Sequence, residues 1–311
     1  MIDKNKTKQL KAAKHKIRIL ITVCTALLLL SVSYIMDACG VWRNIFTFSR
    51  IASVYEESGG YPLSVTVFDV GNANCVLVCF EDHCILIDSG MQKLQNNIAD
   101  KLRSENIDKI DLAVLSCPDE RYIGSMCEVA ETVRIDRFVT CGCNNAKTPQ
   151  EYDDLLNILD TKNTPVEYAV SGDEISFGEM TLRIISPDKT DEKKSDNSLA
   201  VRLTYGEFVM LFMGNTSKKA RDDLISRGEN ISCDVILIAC QGRANSVTDA
   251  FLRAADPDDA VISVEQTDYI PDDKVIRRII DYGCNLYRTD YSGNIVIESD
   301  GSEYIIITQF K

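Results

Sequence analysis

The order of strand and helix patterns after residue 62 limits the fold of this chain more than any other feature. LSVTVFD (63–69) alternates apolar and polar residues, as a half-buried strand does. CVLVCF (75–80) and the apolar run at 84–88 are two more strands, joined by the short turn Glu81-Asp82-His83. Residues 92–105 then carry Leu94, Ile98, Leu102 and Glu105 at helical spacing. Beyond them strand 111–116, helix 124–133, strand 137–140 and helix 149–161 alternate. A β-rich middle follows at 166–170, 175–177, 180–186, 199–205 and 208–213. The second alternating run is helix 217–227, strand 234–239, helix 247–255, strand 260–264 and helix 272–282; strands 285–288, 294–298 and 304–308 close the chain. Two blocks of strands, each supplied with helices, predict an α/β sandwich of two mixed sheets with helices outside.

The first sixty residues follow another logic. ILITVCTALLLLSVSYIM (19–36) is an uncharged run of eighteen residues, about the minimum that spans a bilayer as a helix. Seven Lys or Arg and one acid precede it, and a basic flank stays on the cytoplasmic side. The reading is a bacterial-type, single-pass membrane protein: a cytoplasmic tail (1–18), a transmembrane signal anchor (19–36), a linker (37–62) and an extracytoplasmic domain (63–311). A cleaved signal peptide, a buried core helix and a lipoprotein site at Cys39 are the competing readings of the apolar run; no clean A-x-A site follows it.

Residues 19–311 hold 27 Lys or Arg against 46 Asp or Glu, a net charge of −19. With no local basic patch, so acidic a surface disfavours tight binding of long nucleic acid. Of the twelve cysteines, those at 75, 79 and 84 lie in apolar strands and read as small core residues. Cys141-x-Cys143 lacks the second pair of a zinc ribbon and reads as a turn.

Four stretches, in order, carry a resemblance. They are LSVTVFDVGNANCVLV (63–78), ILIDSG (85–90), DNSLAVRLTYGEFVMLFMGN (196–215) and YRTDYSGNIVIESDG (287–301). Residues 63–311 resemble the soluble metallo-β-lactamase-fold domain of ComEC-type DNA-uptake proteins, whose matching segments read D-V-G-Q-G-D-A, I-L-I-D-T-G, N-N-x-S-L-V-L-R-L-x-Y-G ending in T-G-D, and Y-R-T-D-x-x-G-x-I-x-I-x-S-D-G. The resemblance implies a four-layer αββα sandwich and a site of metal ligands at strand ends. The family's multi-span channel portion is absent, so DNA transport does not follow.

The resemblance also shows what has changed. At the family's H-P-H-A-D-H, Cys117 stands at the first His, Asp119 at the second, Arg121 at the Asp and Tyr122 at the last His. Asn215 replaces the Asp of T-G-D, Cys240-Gln241-Gly242-Arg243 replaces H-H-G-S, and Ile270 stands at the His of G-H-P-S-P. Asp88 survives, and together these are the ancestral site positions. The chain has two histidines, His15 in the tail and His83 in a hairpin turn, so a multi-histidine centre is excluded.

The expected function is that of a catalytically degenerate domain acting by binding or scaffolding, with no catalytic residue and no cofactor. Asp88 and Asp69 then cap turns by accepting backbone N–H bonds. Zinc enters if Cys117, Asp119 and Cys240 form a remodelled single-metal site, which would make the chain an atypical metal-dependent hydrolase acting on phosphodiesters. The two cysteines could instead form a disulfide or stay thiols. Arg121, Tyr122 and Arg243, with Asn215, Gln241 and Asn245, could line a pocket for a small anionic ligand or a peptide end. Arg121 pairing with Asp88 or Asp119 is the structural counterpart of that reading. An extracytoplasmic protein partner and an accessory role in DNA uptake complete the alternatives.

Overall fold

The computed structural model describes residues 60–91, 98–142, 148–188, 196–267 and 269–310. The segments read from sequence as cytoplasmic tail, anchor and most of the linker, and Cys143, lie outside the described residues. No helix among those described is long and apolar enough to cross a membrane.

Among the described residues the strands run β1 Leu63–Val67, β2 Cys75–Phe80, β3 His83–Ser89, β4 Lys109–Ile110, β5 Leu112–Leu115, β6 Arg134–Ile135, β7 Phe138–Thr140, β8 Val166–Tyr168 and β9 Glu174–Phe177, then β10 Met180–Ser186, β11 Ala200–Tyr205, β12 Phe208–Phe212, β13 Val235–Leu237, β14 Asp259–Ile262, β15 Asn285–Arg288, β16 Ile295–Ser299 and β17 Tyr304–Thr308. One sheet has the order β17-β16-β1-β2-β3-β5-β7-β8 and the other β15-β14-β13-β12-β11-β10-β9. β4 and β6 form a separate parallel pair.

Each sheet is half antiparallel and half parallel. Tight connections serve the antiparallel halves, as between β2 and β3. The parallel halves, β3-β5-β7-β8 and β12-β13-β14-β15, need crossovers, and helices supply them. Met126–Thr132 and Gln150–Thr161 serve the first sheet; Lys218–Ser226, Asp249–Ala255 and Asp273–Tyr282 serve the second.

Three apolar cores show how these layers stack. Val65, Val78 and Ile87 of the first sheet meet Leu203, Met210 and Leu237 of the second between the sheets. Leu77, Leu86 and Leu115 turn the other way, toward Val129 and Leu155 of the first helical layer. Leu211, Ile236 and Ile262 likewise face Phe251 and Ile279 of the second. The period-two alternation of the strands thus feeds two faces at once, and the result is a four-layer αββα sandwich.

The strands expected from sequence form, with ends displaced by one or two residues. The helix expected at 124–133 begins at Met126, and a separate short helix, Glu120–Ile123, precedes it. The helix expected at 92–105 is described from Ile98 to Ser104. His83 is the first residue of β3 rather than part of the turn, which shortens the hairpin loop to Glu81-Asp82.

Candidate functional site

In parallel halves all strands point the same way, so the loops after their C-terminal ends collect at one edge. Asp88 lies near the end of β3, Ser116 and Cys117 follow β5, Asn215 follows β12, and the Cys240-Gln241-Gly242 turn follows β13. These residues, expected from sequence to share a site, thereby come to one edge.

Asp88 is buried and sits at φ 59, a left-handed backbone. Its carboxyl accepts from Ser116 N at 2.7 Å and from Ser116 Oγ at 2.8 Å. The expectation that Asp88 caps its own turn is therefore corrected: it reaches across to the strand beside it. Burial pushes its acid up to about 8, against the two hydrogen bonds from Ser116. Asp69 behaves as expected, accepting from Gly71 N at 3.4 Å. Beside Ser116, Gly214 has φ +48, and a Cβ there would come within 2.8–2.9 Å of Leu199 O, Ser116 Oγ and Ser198 Oγ, so no larger residue fits this crossing.

Beyond Ser116 two polar clusters line the site, one around Asn215 and one around Gln241. The Asn215 carboxamide lies between the two cysteines: its Nδ2 is 3.7 Å from Cys117 Sγ, and its Oδ1 accepts from Cys240 Sγ at 3.4 Å. The two sulfurs are not joined to one another. Cys240 and Gln241 both have left-handed backbones, φ 53 and 54, which turn Gln241 inward. Gln241 is wholly buried, and its Nε2 donates to Tyr122 Oη at 3.0 Å and to Asn74 Oδ1 at 3.2 Å. Its Oε1 accepts from Arg121 Nη1 at 3.3 Å.

Arg121 joins Gln241 to Asp119. It grips Asp119 with two prongs, Nε to Oδ1 at 2.8 Å and Nη2 to Oδ2 at 3.2 Å. Asp119 also accepts from Arg121 N and so caps the short helix. Burial works against the guanidinium charge, and the Asp119 hydrogen bond overcomes it, so Arg121 stays protonated. Its guanidinium lies 5.6 Å over the Tyr122 ring.

Tyr122 is corrected as a pocket-lining residue. It is wholly buried beneath Arg121, and burial holds its phenol well above the ordinary range. Asn215 and Gln241 are buried with it. The cavity above them, about 860 Å³, is lined by Arg121, Arg243, Asp119, Glu120, Glu265 and Ile270, among others. Two cations and three acids make that lining mixed in charge rather than cationic. Arg243 is exposed, and among the described residues its guanidinium makes no ion pair. Asn245 is exposed, with its carbonyl held by Arg221 Nη2 at 2.6 Å.

Three participants were not singled out from sequence. Asn74 and Ser116 are one-residue neighbours of strand ends, and their partners are remote in the chain. Arg221 is buried with no carboxylate on its guanidinium among the described residues; it donates to the backbone oxygens of Thr216 and Asn245. Burial lowers the proton affinity of Arg221 and raises that of the Cys240 thiol close by.

The donor set does not fit a metal. Both oxygens of Asp119 serve Arg121, and the Cys117 and Cys240 sulfurs flank a neutral carboxamide. Among the described residues no group of three or more His, Cys, Asp or Glu is placed to hold one. His83 is remote from the site, 3.4 Å from Asp111 on the hairpin side.

Comparison with known proteins places the fold. No protein-family model and no curated protein sequence matches the chain. Among solved structures, CmlA, a diiron β-hydroxylase from Streptomyces venezuelae, is 12% identical over 77% of this chain and 55% of its own, with a TM-score of 0.52. This chain thus spans about half the length of CmlA. Looser matches are Zn²⁺-bound PqqB from Methylobacterium extorquens (7% identity, 76% and 100% covered, TM-score 0.49) and the Rm3 metallo-β-lactamase (13%, 55% and 76%, 0.38). The architecture is that of the metallo-β-lactamase-like sandwich. Identity this low shows the fold and not an activity.

Proposed function

We propose that this chain is a ligand-binding domain on a metallo-β-lactamase-like scaffold, related to the soluble domain of ComEC-type proteins and lacking their hydrolase chemistry. One observation carries the reading. Where such a scaffold would gather metal ligands, the side chains of Gln241, Tyr122, Arg121 and Asp119 satisfy one another, and the Asn215 carboxamide is taken up by Cys117 and Cys240. A buried polar network of this kind leaves no strong donor for a cation and costs little by itself.

The open cavity above that network is the binding site. Arg243 supplies the uncommitted cation for an anionic group, while Glu120 and Glu265 favour a ligand that also carries an amine, as a peptide end or an amino acid does. The acidic domain weighs against a role in DNA uptake. In this proposal residues 19–36 anchor the domain outside the membrane.

A second reading has support from the fold. CmlA is a diiron enzyme and PqqB was solved with Zn²⁺, so a metal-dependent activity is the precedent among look-alikes. Elemental analysis separates the two. The full chain, purified under reducing conditions, is incubated with zinc or manganese and desalted. Metal well below one equivalent is expected. One tightly held equivalent, lost on Cys117→Ala or Cys240→Ala, would overturn the proposal and call for phosphodiesterase assays.

A further inference from the structure

Cys79 and Cys84 face each other across the β2–β3 hairpin. The register pairs Phe80 with His83 at the turn and Cys79 with Cys84 one step in. Cys84 N donates to Asp111 Oδ2 at 2.9 Å, and Cys84 O accepts from Asp111 N at 2.8 Å. Both backbone polar groups of Cys84 therefore point away from β2. That defines a non-hydrogen-bonded antiparallel pair, the kind in which facing Cα atoms come within about 4.5 Å and side chains approach most closely. This lies at the near end of the Cα range a disulfide needs, roughly 4.4–6.8 Å. The two sulfurs are already 3.7 Å apart. Both residues are half-buried, so a small reagent reaches them, whereas Cys75, Cys117, Cys141, Cys233 and Cys284 are buried.

We propose that Cys79 and Cys84 are a redox site that closes to a cross-strand disulfide without rearranging the sheet. The oxidant is a small-molecule disulfide such as oxidised glutathione. The Cys84 thiolate attacks one of its sulfurs and expels one thiol, leaving a mixed disulfide on Cys84. Cys79 then loses its proton, attacks the Cys84 sulfur and expels the second thiol. Two protein thiols become one disulfide, and the external disulfide becomes two thiols. The hydrogen bond from Cys79 lowers the proton affinity of the Cys84 thiol, against burial and the nearby Asp111, which favours Cys84 as the attacking group. This site lies on the hairpin and is independent of the binding proposal.

Glu81 separates the two cysteines, so a Glu-specific protease cuts between them. The full chain is treated with oxidised glutathione under native conditions, its remaining thiols are alkylated, and it is digested without reduction. The expected product is a peptide pair joined through Cys79 and Cys84, released by reduction. It disappears in Cys79→Ser and in Cys84→Ser, near-isosteric changes whose folding is checked by circular dichroism. Recovery of Cys79 and Cys84 as separately alkylated or separately glutathionylated residues, at an oxidant level that modifies Cys127 or Cys240, would overturn the proposal.

Discussion

The floor and the mouth of the candidate site are built on opposite principles. In the floor, Tyr122, Gln241 and Asn74 are buried, uncharged and bonded to one another, and buried Asn215 is bonded to Cys117 and Cys240. In the mouth, Arg243, Glu120 and Glu265 are charged and open to solvent. A neutral hydrogen-bonded network ties together the loops that carry Asn74, Tyr122 and Gln241, while the charged rim faces solvent. The difference teaches that holding loops together and presenting charge to solvent are separable: the loops converge on a hydrogen-bonded plug, and the charges stand at its edge.

Substitution in the floor should therefore act on folding before anything else. Tyr122→Ala removes a wholly buried ring and leaves Gln241 Nε2 without the phenol oxygen. Loss of a buried aromatic costs about 3–5 kcal/mol, and urea unfolding of the full chain should show a shift of that size. A change within about 0.5 kcal/mol, the range of surface substitutions, would mean that the floor is not the structural half of the comparison.

Asp88 sharpens the same contrast through pH. Its folded-state acid, raised to about 8, lies above the ordinary 3.8. Between those two values the folded chain holds a proton that the unfolded chain has lost, so this carboxyl makes stability fall as pH rises, from the unfolded value to the folded one. Asp88→Asn keeps the shape and removes the titration. Relative to that variant, wild type should lose roughly 2–3 kcal/mol between about pH 5 and about pH 7. Parallel pH profiles for the two proteins would show that Asp88 stays ionised and that the Ser116 hydrogen bonds suffice to hold its charge.

The sequence made the scaffold readable and the plug only in part. Strand alternation such as LSVTVFD sets the faces locally, so β1 and its partners could be placed from their own residues. The candidate site positions were legible through a resemblance carried by short motifs in order along the chain. The floor was not, since its bonds join remote residues: Gln241 and Asn74 are 167 positions apart, and nothing near either one names the other. Tyr122 was misassigned to the pocket wall because a four-residue helix is too short for periodicity to reveal which side is buried. Cys79 and Cys84 were read as core residues for a related reason. Burial was the local signal, and the pairing came from hairpin register, which depends on where the turn begins.

The smallest structural effect belongs to the mouth, where the functional effect should be largest. Arg243 is exposed and, among the described residues, makes no ion pair, so Arg243→Ala should change stability by no more than about 0.5 kcal/mol. The same variant should lose the calorimetric signal for a small carboxylate or phosphate ligand, because it removes the cation not already held by a partner in that lining. Arg121→Ala would not separate the roles, since Arg121 is tied to both Asp119 and Gln241 and belongs to floor and mouth together. If wild type and Arg243→Ala bind such anions equally, the rim is a solvated surface and the comparison collapses to a scaffold with an inert opening. If wild type alone binds and Tyr122→Ala, where it folds, still does, then ligand recognition resides in the rim and the plug serves only to hold the loops that carry it.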